Sequence, residues 1–128
     1  MPDFRDLVVW GAAHRLGLRI YELTDRFPRS EVFGLTSQLR RAATSVASNI
    51  AEGNGRGSDR EFRRFLLIAR ASAHELMSQL LFARDRGLLT PEDAHTALGH
   101  AESVARMLSG LITAINKRVA KPKPDHPL

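Results

Sequence analysis

Ser58-Asp59-Arg60-Glu61-Phe62-Arg63-Arg64-Phe65-Leu66-Leu67-Ile68-Ala69-Arg70-Ala71-Ser72-Ala73-His74-Glu75-Leu76-Met77-Ser78-Gln79-Leu80-Leu81-Phe82-Ala83 decides the fold. Phe62, Phe65, Leu66, Ala69, Ala73, Leu76, Leu80 and Ala83 recur at steps of three and four, the spacing of one helix face. Ser58 to Glu61 reads as a capping box, in which serine and glutamate each satisfy a free amide of the first turn. The helix should run to about Arg86, with Gly87 as its left-handed stop.

Working outward, the same spacing recurs on both sides. Thr90-Pro91-Glu92-Asp93 supplies a capping hydroxyl, a proline at the first helical position and first-turn acids. The stripe that follows is Ala94, Leu98, Ala101, Ala105, Leu108, Ile112, Ile115 and Val119. Upstream, Leu39, Ala42, Ala43, Val46 and Ile50 mark a helix from about Thr36 to Glu52, broken by Gly53-Asn54-Gly55-Arg56-Gly57. Ala13, Leu16, Ile20, Leu23 and Phe27 mark another from about Asp6 to Arg26, capped by Asp3 or Asp6 and ended by Pro28. Pro28 to Leu35 is a connector with room for one helical turn. No strand pattern or repeat competes. The expectation is all-α: an antiparallel up-down four-helix bundle over residues 1–120, followed by a flexible Lys/Pro tail at 121–128.

The chain has 128 residues, which fits one domain with one core. It has no cysteine, which excludes disulfides, thiolate metal sites and cysteine nucleophiles. No targeting segment or membrane-length apolar run is present, so the expected location is cytoplasmic, away from the membrane. The formal charge is +5, unevenly placed. From Arg40 to Arg70, seven arginines face three carboxylates; from Lys117 onward, four cations face Asp125 alone. The remainder is slightly acidic.

Arg40, Arg41, Arg56, Arg60, Arg63 and Arg64 are therefore the candidates for contact with nucleic-acid phosphates. The glycine segment running into a helix N-terminus adds backbone amides, although it lacks the GK[ST] of a P-loop. The plainer alternative is a solvated basic face paired with Asp59 and Glu61. Apolar surface is also left over. Leu67, Leu81 and Phe82 lie off the inward stripe, and Leu7-Val8-Val9-Trp10 is apolar all round. Leu7, Val8, Trp10, Leu67, Leu81 and Phe82 are thus candidates for self-association, against the alternative of isolated exposed apolar residues.

Other constellations are weaker. Glu92-x-x-His95 is one copy of a pair that di-iron bundles use twice, so no metal and no cofactor is expected. Arg70 and His74 nearly match a helical RNase spacing, but no catalytic triad or carboxylate pair is readable, and the chain reads as non-enzymatic. Asn49, Glu52, Ser72 and Glu75 border the apolar stripes, where polar groups usually bond one another or a loop backbone. If Glu52 and Glu75 pair with arginines, they would order the glycine segment.

Several segments together resemble a known family. They are Asp6-Leu7-x-x-Trp10, Phe27-Pro28, and Glu31-x-x-Gly34-Leu35-Thr36-x-Gln38-Leu39-Arg40-Arg41-Ala42-Ala43, then Ser45-Val46-x-x-Asn49-Ile50-Ala51-Glu52-Gly53, Phe62-x-x-Phe65-Leu66-x-x-Ala69 and Ser72-x-x-Glu75-Leu76. The chain resembles, up to about Val119, the four-helix-bundle proteins of bacterial 23S ribosomal RNA intervening sequences. That family is similar to the accessory protein of diversity-generating retroelements, a barrel-like homopentamer whose basic surface binds nucleic acid and a reverse transcriptase. The resemblance implies a homopentamer here, binding to RNA or DNA with little sequence preference, and, as an alternative, docking of a partner protein such as a reverse transcriptase. It marks Gln38, Asn49, Glu52, Gly53, Ser72 and Glu75 as motif positions, structural or binding. Ala47 stands where the family commonly has proline, and Ala71 where it commonly has glycine; a helix tolerates both.

Overall fold

The computed structural model describes residues 2–120. The proposed tail at 121–128 lies outside the described residues. Four helices form: α1, Val8–Thr24; α2, Leu35–Gly55; α3, Asp59–Asp85; and α4, Pro91–Ala120. Single 3-10 turns precede α1 (Phe4–Asp6) and α2 (Arg29–Glu31), and no strand occurs among the described residues. Side-chain links fix the directions. Asn54 at the end of α2 donates to the Pro2 carbonyl, and Arg118 late in α4 pairs with Asp59 at the start of α3. At the other end, Arg19 and Arg26 reach Asp93, and Arg40 reaches Asp25. Successive helices therefore run antiparallel, and α4 closes against α1.

The inward stripes of α1, α2 and α3 are buried as their spacing implied. Val119, read as part of the α4 stripe, is instead 40% exposed, and Leu98 is only partly buried; Ala97 and Val104 take inward places. Helix α1 begins two residues later than Asp6 because Asp3 caps the preceding 3-10 turn, its Oδ1 accepting from the Arg5 amide at 2.8 Å. Leu7 is the N-cap of α1 and offers no side-chain bond. Helix α1 also stops at Thr24 rather than Arg26, as Asp25 to Phe27 turn toward Pro28.

The ends of α3 and α4 follow the sequence closely. Ser58 Oγ accepts from the Glu61 amide at 3.2 Å, and Thr90 Oγ1 from the Asp93 amide at 3.1 Å. Glu61 does not complete the capping box; its carboxylate accepts from Arg64 Nε at 2.8 Å instead. Gly87, at φ 78°, ends α3 in a Schellman arrangement, with Leu88 N–H on Ala83 O at 2.9 Å and Gly87 N–H on Arg84 O at 3.0 Å.

Helix α2 overturns one expectation. It does not break at Gly53 but continues through Asn54 to Gly55. A Cβ at Gly53 would lie 2.6 Å from Phe65 Cβ and 3.1 Å from Phe62 Cδ1. The bare backbone is what lets α3 press its first turns against α2. Each helical glycine costs about 1 kcal/mol. Burying Phe62 and Phe65 returns about 1.5–3 kcal/mol each, so packing overrides propensity. The true break is short: Arg56, then Gly57 at φ 79°.

Candidate nucleic-acid interface

The six candidate arginines form two groups rather than one. Arg40 and Arg41 lie in the first half of α2; Arg56, Arg60, Arg63 and Arg64 surround the α2–α3 corner at the other end of the bundle. At about 1.5 Å per residue, Arg41 and Arg56 are separated by roughly 22 Å along the helix.

At the corner, Arg56 and Arg64 hold their guanidinium groups over the Phe65 ring, at 5.1 Å and 4.4 Å from its centroid. Arg56 also pairs with Glu52 at 3.0 Å, and Arg64 with Glu61 at 2.8 Å. The Arg64 hydrogen bond is the main cause that holds the Glu61 carboxyl below the ordinary glutamate range, with the charges of Arg64, Arg56 and Arg60 adding to it. The same pair raises Arg64. Arg60 is exposed, and no carboxylate pairs with it among the described residues. Arg63 turns away toward α4, donating to Asn116 Oδ1 at 3.1 Å, and Arg70 donates to Ser109 Oγ at 3.2 Å. Continuation of α2 removes the expected glycine loop, and Ser58, Asp59 and Glu61 already serve the α3 N-terminus. The corner therefore offers guanidinium groups more than backbone amides.

At the opposite end, Arg40 donates to Thr24 Oγ1 and Asp25, both at 2.8 Å, and covers the Tyr21 ring at 4.4 Å. Arg41 is exposed and without an ion pair among the described residues. Sequence spacing could not supply the aromatic supports, because Tyr21 and Arg40 meet only across helices.

The motif positions fall mainly along the α2–α3 seam. The Ser45 and Ser72 hydroxyls lie 2.9 Å apart, and Asn49 Nδ2 donates to Ser45 O at 2.8 Å and Oγ at 3.0 Å. Gln79 Nε2 bridges Gln38 Oε1 at 3.3 Å and Glu75 Oε1 at 3.2 Å. Glu75 thus accepts from an amide, not from an arginine; only Glu52 makes the expected pairing, and it does so within α2. Gly53 is the close-approach point described above.

Of the self-association candidates, Leu67, Leu81 and Phe82 are exposed, Phe82 at 60%. They lie on the outer half of α3, joined by Ile68, which the sequence reading did not single out. Val8 is exposed, whereas Leu7 and Trp10 pack partly against the core, Trp10 stacking on His14 at 4.7 Å and meeting Phe4 edge-on. The connector adds Phe33, 98% exposed and also not anticipated. Its signal was present: an aromatic residue in a short polar segment.

His74 is exposed beside Glu102 and Arg106 in a shallow α3–α4 depression, away from the arginine corner. Glu92 and His95 are exposed on the first turns of α4. Among the described residues no three histidine or carboxylate side chains meet to hold a metal, and no helix is long and apolar enough to cross a membrane.

A family model described as 23S rRNA-intervening sequence protein matches residues 5–110. Among solved structures, the chain is similar to a crystal structure of a protein of unknown function from the S23 ribosomal protein family of Bacteroides thetaiotaomicron. The two agree with a TM-score of 0.74 at 23% identity, over 82% of this chain and 98% of that one. At that identity the likeness shows the fold. No curated protein matches the chain.

Proposed function

The chain belongs to the 23S rRNA-intervening sequence protein family, and from that premise we propose a non-enzymatic, cytoplasmic homo-oligomer, most simply a pentamer, that binds RNA or DNA with little sequence preference. One observation carries the reading. The outward face of α3 combines exposed Arg60 and Arg64 at one end with exposed Leu67, Ile68, Leu81 and Phe82 beyond them. Self-association through these two apolar patches, Leu67 with Ile68 and Leu81 with Phe82, would repeat the arginine corner around the assembly. Each corner adds Arg56, and the Phe65 ring holds two of its guanidinium groups in place. Guanidinium forks engage phosphate oxygens without reading bases, which gives affinity with little specificity.

Fluorescence anisotropy with single-stranded RNA and DNA across a salt series tests this. Each phosphate neutralised should contribute about −0.7 to the slope of log K against log salt. Replacing Arg60 and Arg64 with Ala should weaken binding and flatten the slope by about 1 or more. Salt-insensitive binding, or an unchanged double variant, refutes the reading. A protein-docking scaffold is the second reading, favoured by Phe33 standing clear of the connector. A nuclease-treated pull-down that depends on Phe33 would support it.

A further inference from the structure

The α1–α2 groove ends, at the Arg40 end of the bundle, in a cavity of about 440 Å³. Three arginines line it: Arg40 and Arg41 from α2 and Arg29 from the connector. Arg40 is engaged by Asp25 and Thr24, but neither Arg29 nor Arg41 has a carboxylate partner among the described residues. Thr36 lines the same cavity. It is 7% exposed, and its hydroxyl has no hydrogen-bond partner. A buried hydroxyl left unpaired costs about 1–3 kcal/mol, so it calls for a partner. Threonine in a helix has two accessible χ1 rotamers, so this donor can turn to meet one.

The surrounding charge favours an anion. The first turn of α2 carries no acid, unlike those of α3 and α4. Glu31, the nearest connector acid, accepts from the Leu35 amide at 3.3 Å. Asp25 is the one carboxylate lining the cavity, against three guanidinium groups. The connector joins α1 to α2 at this end and contributes Arg29 and Val32 to the lining, beside Phe27. Away from the connector the groove continues over Tyr21 and Thr44 into an apolar trough walled by Trp10, His14 and Leu18. Guanidinium groups gathered at the connector end of the groove, with the aromatic trough leading away from them, suit a phosphate that ends a ligand lying along Tyr21.

We infer that this cavity binds a phosphate monoester dianion, held by Arg29, Arg40, Arg41 and the Thr36 hydroxyl, with any attached nucleoside lying along Tyr21. The ligand is either the phosphorylated end of a nucleic-acid strand or a small phosphate ester. The first source rests on the nucleic-acid reading above; the second does not.

The test compares a short single-stranded oligonucleotide bearing a 5′-phosphate with the same strand bearing a 5′-hydroxyl. Inorganic phosphate and a nucleoside monophosphate serve as small probes, followed through backbone amide resonances of the protein. The phosphorylated strand should bind about fivefold tighter or better, and Arg29→Ala or Arg41→Ala should remove the difference. Thr36→Val should weaken phosphate binding without lowering the melting temperature, because the hydroxyl it removes is unpaired. Small phosphates that shift Thr36 and Arg41 while neither strand binds would uphold the cavity and overturn the nucleic-acid reading. Equal binding of both strands, with no response to the small phosphates, would overturn the cavity and leave the arginine corner standing.

Discussion

Gly53→Ala isolates the contact that sets how closely α2 and α3 approach. The added methyl would lie 2.6 Å from Phe65 Cβ, and both atoms sit close to their backbones. Relief therefore requires the helices to separate by most of an ångström, which no rotamer change supplies. Overpacking of this kind costs about 1–3 kcal/mol. The gain in helix propensity returns at most about 1 kcal/mol, and less this near the end of α2. The net expectation is a loss of about 1–2 kcal/mol. An unfolding entropy of about 2.1 cal/mol/K per residue, over 128 residues, turns that into a fall of about 4–7 °C in melting temperature. The control is Gly55→Ala, where nothing lies within 4 Å of the new Cβ. It should stabilise by a few tenths of a kcal/mol, up to about 1. Both are read by calorimetry or circular dichroism at one protein concentration, since assembly would make the midpoint concentration-dependent. If Gly53→Ala melts at or above the parent, alongside Gly55→Ala, the close-approach argument is wrong and α2 continues past Gly53 for another reason.

Leu66, fully buried where α3 meets the core, should lose about 2–5 kcal/mol when replaced by Ala, measured by urea titration at unchanged m-value. The Glu61 carboxyl should titrate below the ordinary glutamate range by NMR, and Arg64→Ala should move it upward. Because its folded value is depressed, its contribution to stability is present above the unfolded pKa and fades as pH falls through the folded one. An unmoved Glu61 in the Arg64 variant would show that the hydrogen bond is not the cause. Phe82→Ser with Leu81→Ser should shift sedimentation toward the monomer while leaving the helical signal intact; a parent chain already monomeric at micromolar concentration removes the self-association proposal.

The fold was legible because its signals are local and agree with one another. Ser58, Gly87, Thr90 and Pro91 punctuate the helices, and the stripes of α1, α2 and α3 turn inward as read, with most of that of α4. The errors fall where tertiary contact outweighs local preference. Gly53 and Gly55 look like breakers until Phe62 and Phe65 are seen across the interface. Val119 keeps the helical period but has run past the packed part of the bundle. The candidate site was legible in composition, not arrangement. Contiguity along the chain made Arg40 through Arg64 look like one cluster, yet an intervening helix holds its two ends apart. The connector arginine, Arg29, was invisible as a site member because only folding brings it beside Arg40 and Arg41.

Internal pairing does not by itself disqualify the arginine corner. Arg56 and Arg64 are both committed to carboxylates, through pairs that are largely exposed and only three or four residues apart. Such pairs contribute about 0–1 kcal/mol each. A phosphate oxygen can replace the carboxylate at little cost, and the released Glu52 and Glu61 return to water. What the pairs and the Phe65 ring do provide is order, since a guanidinium already held in place loses less conformational entropy on binding than a free one. Arg60 has neither support, and no carboxylate pairs with its exposed guanidinium among the described residues. Replacing Arg60 alone should therefore reduce the salt slope most directly. Replacing Phe65 with Leu, which keeps an apolar side chain but removes the ring, should weaken binding while leaving the slope nearly unchanged. A Phe65→Leu protein that folds normally and binds as the parent does would show that the ring supports packing alone.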